Sequence, residues 1–405
     1  MVSPILVAKQ ITAFQRRASL CFFSIVRDPR RATKPGYQKI NDVKLFVYPF
    51  LFLVSSQVAA QSHRGVAVIA ADSQFVKHNA LFKFLWGKNY RKVWATPLAV
   101  NYFSLTDSQH KFVPVRTGGG LQTKSLVIKD ESGSEWSLRS VQKNPDTWLS
   151  PFLRKTFVRD IVRDQISASF PYGSLAVPGI AEALNIAHDH PQLVVISNDT
   201  SLGKYEQEFA GRLCFLEDRN PKGKSVSTEK MFKIKDSITN VFIDTMTYLK
   251  CRLMDIVLGD WDRHPGQYRW YCDTLNGALL FVPIPGDRDQ AFFRLQGLIP
   301  SLILNLGAMT YMEGFNPSVK NINGFMARGR SLDKKILSNM SKEKWQQVTN
   351  EVKTALTDAV LVGSVEYLPT ELTSYHGFLR ATMMARRDKL DKLSTPYYKK
   401  ITRKK

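Results

Sequence analysis

The chain has 405 residues, 44% hydrophobic and 23% charged, a globular balance for one large domain or two smaller ones that excludes disordered, collagenous and small disulfide-stapled classes. Lys and Arg total 57 against 35 Asp and Glu, but the net charge of +22 gathers at the ends: residues 1–44 carry +7, residues 378–405 carry +8, and only +7 remains on the 333 residues between. A uniformly basic groove, and nucleic acid as a partner, are therefore not expected; Cys21, Cys214, Cys251 and Cys272, with no C-x-x-C and no Cys/His pair at zinc spacing, read as small buried hydrophobes.

Residues 1–42 are irregular and rich in arginine (Arg16, Arg17, Arg27, Arg30, Arg31), and no Met separates Met1 from Met231. They read as a leader ahead of a mis-assigned start, with Val43-Lys44 as a non-Met initiation site. Residues 43–60 read as a signal peptide: basic Lys39 and Lys44, the apolar run 45–54, then small residues that place Val58 and Ala60 at the −3 and −1 cleavage positions. The run falls short of the roughly 20 residues of a spanning helix, and Pro49 interrupts it. A mature chain starting near Gln61, without a transmembrane helix and periplasmic or envelope-associated, is the expectation.

Residues 61–112 form a helical, aromatic extension in which Phe82, Phe84, Trp86, Lys88, Tyr90, Arg91 and Trp94 interleave rings with charge. Such interleaving can stack single-stranded nucleic acid, but packing of the rings on the domain is the simpler reading. Residues 113–220 read as a strand-rich N-terminal lobe. Strands start at Val113, Lys124 and Glu135; alternation of Leu126 with Ile128 and of Trp136 with Leu138 predicts a meander buried on one face. Residues 151–169 predict a helix with Asp160 and Asp164 on one side, and the runs 193–197 and 211–216 extend the sheet, the second leading into Glu217. A Pro/Gly/Ser/Lys-rich linker at 220–227 opens a helical C-terminal lobe, residues 221–405, with a basic tail. Its first helix starts at Val241, carries the stripe Phe242, Met246, Leu249, Leu253 and Ile256, and stops at Gly259. The apolar stretch 297–309 predicts the central helix of this lobe.

The chemistry gathers in two polar loops. One is Gly259-Asp260-Trp261-Asp262-Arg263-His264-Pro265-Gly266-Gln267; the other, after a hairpin, is Gly286-Asp287-Arg288-Asp289-Gln290. Two acidic loops facing the Gly118-Gly119-Gly120 strand end are what metal-assisted phosphoryl transfer needs: carboxylates for divalent metals, a backbone loop and a cation for phosphates, and an Asp to orient the nucleophile.

The stretch Asp262-Arg263-His264-x-x-Gln267 resembles the D-R-H-x-x-N catalytic loop of the phosphatidylinositol kinases and of the HipA and CotH families of atypical kinases. The order of Gly-rich hairpin, third strand, acidic helix, two strands, linker, long helix, catalytic loop and metal loop over residues 113–295 is similar too. The resemblance implies an α+β, bilobal kinase-like fold that uses ATP or another nucleoside triphosphate with Mg²⁺ or Mn²⁺. It implies Asp262 and His264 as catalytic residues, and Gln267 with Asp287 or Asp289 as metal ligands. Gly118, Gly119 and Gly120 would cover phosphates, with Glu217 beside the nucleotide. Arg139 or Lys143, on one strand face, would be the phosphate-contacting cation, paired with Asp160 or Asp164. More loosely, residues 86–398 look like a segment of Bacteroidetes-type cell-envelope proteins, which suggests an envelope protein, lipid or sugar as acceptor. Gln267 in place of Asn, with no Gly after either metal-loop Asp, departs from the pattern and favours an alternative, an inactive kinase-like binding module.

Other constellations carry less. The 259–263 stretch is one residue short of a metallophosphatase G-D-x-x-D-R box, His188-Asp189-His190 reads as a plain connection, and no G-x-S-x-G supports a serine nucleophile. The tail from Arg380, with Arg386-Arg387 and Tyr397-Tyr398-Lys399-Lys400, could hold an anionic partner in a salt-sensitive manner.

Overall fold

In the computed structural model, the described residues run from Gly65 to Arg403, without 107–110, 119–121, 148, 276 and 308. The leader and the signal at 1–60 therefore lie outside the described residues. Seven strands form the first sheet: β1 (Val66–Ile69), β2 (Leu98–Phe103), β3 (Val113–Gly118), β4 (Ser125–Lys129), β5 (Glu135–Ser140), β6 (Gln192–Ile196) and β7 (Leu213–Asp218), in the order β1-β2-β6-β7-β5-β4-β3. Every pairing is antiparallel except β2 with β6. The meander β3-β4-β5 and the strands β6 and β7 stand where the alternating and apolar runs predict them.

The central strands β4 and β7 are buried on both faces, not on one, while the edge strands β1 and β3 stay largely exposed. Leu126, Ile128, Leu138, Val194, Ile196, Cys214 and Leu216 pack with Leu105, Phe112, Leu202 and Phe209 on the outer face. On the other face Val127 is fully buried, and Val195, Leu213 and Phe215 join the main core. Because Val127 is registered with Ser137, Ser137 with Glu217, and Arg139 with Ser125 and Phe215, that inner face presents Ser137, Arg139 and Glu217 together.

The extension contributes helices α1 (Ala80–Trp86) and α2 (Arg91–Ala95), and also β1 and β2, which the aromatic composition masked. Its rings do pack on the domain: Tyr90 Oη donates to Phe292 O at 2.8 Å and Trp94 Nε1 to Ser169 O at 2.9 Å, while Leu81 and Phe84 stay exposed. Next come α3 (Phe157–Gln165), carrying Asp160 and Asp164, and α4 (Val177–Ala183), which leads by an irregular connection into β6.

Beyond β7 the linker ends in β8 (Ser225–Ser227), followed by α5 (Thr228–Ser237) and β9 (Val241–Ile243). The long helix α6 (Thr245–Leu258) thus starts later than expected. Asp244 Oδ1 caps it by accepting from Thr247 N at 2.9 Å, and Phe242 is exposed on β9 instead of belonging to its stripe. The hairpin β10 (Tyr268–Leu275) and β11 (Ala278–Pro285) joins β8 and β9 in a four-stranded sheet. Of the cysteines, Cys214 and Cys251 are buried, whereas Cys272 lies exposed on β10.

The central helix of the second lobe is α6, whose residues 251–258 are buried on every side, and not the 297–309 stretch. There α7 spans only Leu298–Asn305 and leaves Leu298, Leu302, Leu306 and Met309 exposed. Apolar composition cannot separate a core helix from an uncovered one; the difference lies in what packs against it. The lobe closes with α8 (Arg330–Leu337), α9 (Lys342–Ala355), α10 (Asp358–Val365), α11 (Thr373–Asp388) and α12 (Leu390–Thr402). The tail is partly taken into this packing: Arg386 is fully buried and donates to the carbonyls of Ile256, Asn316 and Gly314, whereas Arg380, Lys392, Lys399 and Lys400 stay exposed. Among the described residues no helix is long and apolar enough to cross a membrane. The chain is α+β, an antiparallel-rich N-terminal sheet followed by a mainly helical C-terminal region.

Gly259 ends α6 in the left-handed region at φ 70°, and a Cβ there would lie 2.7 Å from Phe315 Cδ2. Gly259→Ala is expected to cost about 2–4 kcal/mol from backbone strain and overpacking together. Gly363→Ala, inside α10 with nothing within 4 Å of its Cβ, is expected to be neutral or mildly stabilising. Urea midpoints of the two variants measure the contrast.

Candidate functional site

Strand β5 and the loop after β11 face each other. Arg139 projects from the inner face of β5, and Lys143 stands just beyond the strand's end. Arg139 Nη1 lies 3.0 Å from Asp287 Oδ1, and Lys143 Nζ lies 2.7 Å from Asp289 Oδ2. Both candidate cations and both candidate metal-loop carboxylates are thus engaged, in two parallel ion pairs between the sheet and the helical region. The expectation that the two share a strand face is corrected, because β5 ends at Ser140 and Lys143 reaches the site from the turn that follows.

The carboxylate behind Arg139 is Glu217, near the end of β7. Its Oε2 accepts from Arg139 Nε at 3.1 Å and from Ser137 Oγ at 3.2 Å. This corrects the expected pairing with the acidic helix: Asp160 is exposed, and the buried Asp164 is taken by Arg91 Nη2 at 2.6 Å and His78 Nε2 at 3.0 Å. The register that puts Ser137 opposite Glu217 and Arg139 opposite Phe215 places that acid on the strand next to Arg139. Attraction to Asp287 first, then to Glu217, raises the Arg139 guanidinium further above its ordinary value. Asp189, which sequence reading set aside, belongs to the same field: burial and the Glu217 charge push it up to about 7.

Asp287 has a left-handed backbone at φ 54°, uncommon for a residue other than Gly. Arg263 holds that bend, its Nη1 donating to Gly286 O at 2.8 Å and Asp287 O at 3.1 Å. Burial raises the Asp287 carboxyl, but Arg139, Lys143 and Arg263 outweigh it and hold the group below the ordinary carboxylate range. For Asp289 burial prevails: it raises the carboxyl, with the Asp287 and Asp262 charges adding to it, despite Lys143. Two hard oxygen donors on one loop suit a divalent cation such as Mg²⁺ or Mn²⁺ once their ion pairs with Arg139 and Lys143 open.

Asp262 follows α6 and is partly exposed, its Oδ1 accepting from Arg328 Nε at 2.9 Å. His264 turns inward on its own loop and accepts at Nδ1 from Gly266 N at 3.1 Å. Burial lowers the imidazole below its ordinary value although Asp262 opposes the shift, so His264 is neutral near pH 7 and here caps a turn. Gln267 is buried with Oε1 accepting from Arg263 Nη1 at 2.9 Å, which turns its amide oxygen to a cation rather than to an open position. Gly118 ends β3 opposite Ser125, whereas Gly119 and Gly120 lie outside the described residues.

Beneath both loops sits a buried network that sequence could suggest only in part. Asp255 accepts from Arg252 and Arg288; Asp260 Oδ2 accepts from Arg288 Nη1 at 3.0 Å; Asp333 accepts from Arg252 Nε at 3.0 Å, from Tyr248 Oη at 2.6 Å and from Tyr397. Arg263 completes it, with Nε 3.6 Å from Asp255 Oδ1. Three acids balance three guanidinium groups. Arg252, Asp255 and Asp333 carried no local signal, since they sit at core positions of α6 and α8.

No family model matches the chain, and no curated protein matches it. Among solved structures it is similar to the Helicobacter pylori proinflammatory kinase CtkA, with a TM-score of 0.40 and 11% identity over 73% of this chain and 98% of that one. It is similar to the Rio2 kinase from Chaetomium thermophilum, in a complex with ADP/Mg²⁺ and phosphoaspartate, at a TM-score of 0.31 and 10% identity over 69% of this chain and 71% of that one. It is also similar to HipA of a Shewanella oneidensis toxin–antitoxin system, at a TM-score of 0.30 and 10% identity over 84% of this chain and 76% of that one.

Proposed function

We propose that the chain is a kinase-like phosphotransferase that takes a nucleoside triphosphate and a divalent metal between the inner face of the first sheet and the two acidic loops. The observation that carries this reading is the facing arrangement of Arg139 and Lys143 with Asp287 and Asp289. In it the cations would turn to the phosphates, and Asp287 and Asp289 would hold the metal, which would supply charge neutralisation for the phosphates. Glu217 would keep Arg139 oriented. Asp262, which pairs with the exposed Arg328 outside the sheet, would orient the acceptor hydroxyl. Export to the periplasm or envelope by the 43–60 signal, and an envelope protein, lipid or sugar as acceptor, are part of the proposal.

A second reading, a catalytically inactive binding module of the envelope, is favoured by Gln267, whose amide oxygen is committed to Arg263, and by the closure of both metal-loop carboxylates in ion pairs. A thermal-shift titration of the full chain with ATP and other nucleotides, in Mg²⁺ or Mn²⁺, separates binding from its absence. Metal-dependent stabilisation of about 2.7 kcal/mol is expected at a hundredfold excess over Kd, and it should disappear in Asp287→Ala. No shift with any nucleotide would overturn the phosphotransferase reading and leave the binding module.

A further inference from the structure

We propose that Glu182, His188 and His190 form a second divalent-cation site, suited to zinc, built from residues distinct from the acidic loops. Among the described residues this is the set of three or more His, Cys, Asp or Glu whose donor atoms all lie within 4.8 Å of one another.

The chain makes the site locally. Helix α4 ends near Glu182, with Asn185 N donating to Glu182 O at 2.9 Å and Ile186 N to Ala181 O at 2.9 Å. Asn185 takes a left-handed backbone at φ 55°, as asparagine readily does, and the chain turns back. Two residues apart on the returning segment, His188 and His190 then face Glu182, their ring centroids 4.9 Å apart.

The histidine chemistry fits a metal better than a hydrogen-bonded cluster. His188 Nδ1 lies 2.8 Å from Ile186 O, an acceptor, so Nδ1 carries the proton and Nε2 presents its lone pair. That nitrogen is buried and has no hydrogen-bond partner. A carbonyl that fixes the tautomer and leaves the other nitrogen free is the usual support of a metal-bound histidine. His188 Nε2 and His190 Nε2 lie 3.6 Å and 3.3 Å from the same Glu182 Oε1. Metal–ligand bonds of about 2.0–2.2 Å give tetrahedral edges of roughly 3.3–3.6 Å, so two edges are already near the right length. Two histidines and a carboxylate leave one position for water or a ligand, and the exposure of Glu182 and His190 gives a path in. Bound cation would clamp the connection whose Asp189 sits in the field of Glu217 and Arg139.

The test is Co²⁺ titration of the chelator-stripped full chain, read by visible d–d absorption, together with thermal shift in Zn²⁺. The expected result is one equivalent of Co²⁺ with the absorption of a four- or five-coordinate ion, displaced by Zn²⁺ but not by excess Mg²⁺. The signal and the Zn²⁺ shift should persist in Asp287→Ala and vanish in His188→Ala. Glu182→Gln and His190→Ala, at exposed positions that leave the packing intact, should each weaken binding at least tenfold. Absence of the absorption, or its survival in a His188→Ala/His190→Ala double variant, would overturn the site.

Discussion

Asp262→Ala is expected to lower phosphotransfer by about 10²–10⁴-fold, the span of a lost general acid–base group, while leaving the unfolding midpoint nearly unchanged. The stability half follows from its surroundings. Asp262 is partly exposed and its ion-pair partner Arg328 is more exposed still, and such surface pairs are worth roughly 0–1 kcal/mol. Asp287→Ala should abolish transfer as well, but by a different route, because it removes a proposed metal ligand and frees Arg139 to rest on Glu217 alone. The two variants therefore separate in the nucleotide titration: Asp262→Ala keeps the metal-dependent thermal shift and Asp287→Ala loses it. Radiolabel transfer from nucleotide to envelope extract or to the chain itself, measured beside the titration, gives both readouts. Activity retained in both variants would remove the phosphotransferase assignment.

The largest effect on stability is expected from Asp255→Ala, at about 3–5 kcal/mol. Asp255 is fully buried and accepts from Arg252 and Arg288, with Arg263 close by. Burial alone would raise its carboxyl, yet Arg288, Arg263 and Arg252 outweigh that and hold it below the ordinary range, so the group is charged in the fold. Its removal strands guanidinium groups away from water, and against a total stability of about 5–15 kcal/mol that is a large fraction. If the variant does not accumulate, Tyr397→Phe offers a milder probe. It deletes one hydroxyl donor to Asp333 and should cost about 1 kcal/mol in urea denaturation. A loss below 1 kcal/mol for Asp255→Ala would mean that the network is not what holds the two loops in place.

Local patterns carried much of the fold. Alternation marked β4 and β5, the run from Val113 marked β3, the apolar runs marked β6 and β7, and Gly259 marked the end of α6, because each signal depends on a few adjacent residues. The extension was harder. Short strands β1 and β2 acquire stability only by pairing, β1 with β2 and β2 with β6, the latter more than ninety residues on in the chain; their composition alone resembles the helices between them. The stretch 297–309 misled for the opposite reason: it is apolar enough to be a core helix, but α6 already occupies the core.

The candidate site divides in the same way. The sequence by itself determined the residue types, the two acidic loops with their hairpin, the strand that bears Arg139, and hence an α+β chain. Only the tertiary structure decided the pairings. It set Arg139 against Asp287 and Glu217, Lys143 against Asp289, Gln267 against Arg263, and Glu182 beside His188 and His190. Spacing along a chain fixes which side chains share a strand face or a helix turn, within a few residues. Which charge meets which across tens or hundreds of residues depends on how separate elements pack, and the desolvation and Coulomb energies that select one partner over another exist only once that packing has excluded water.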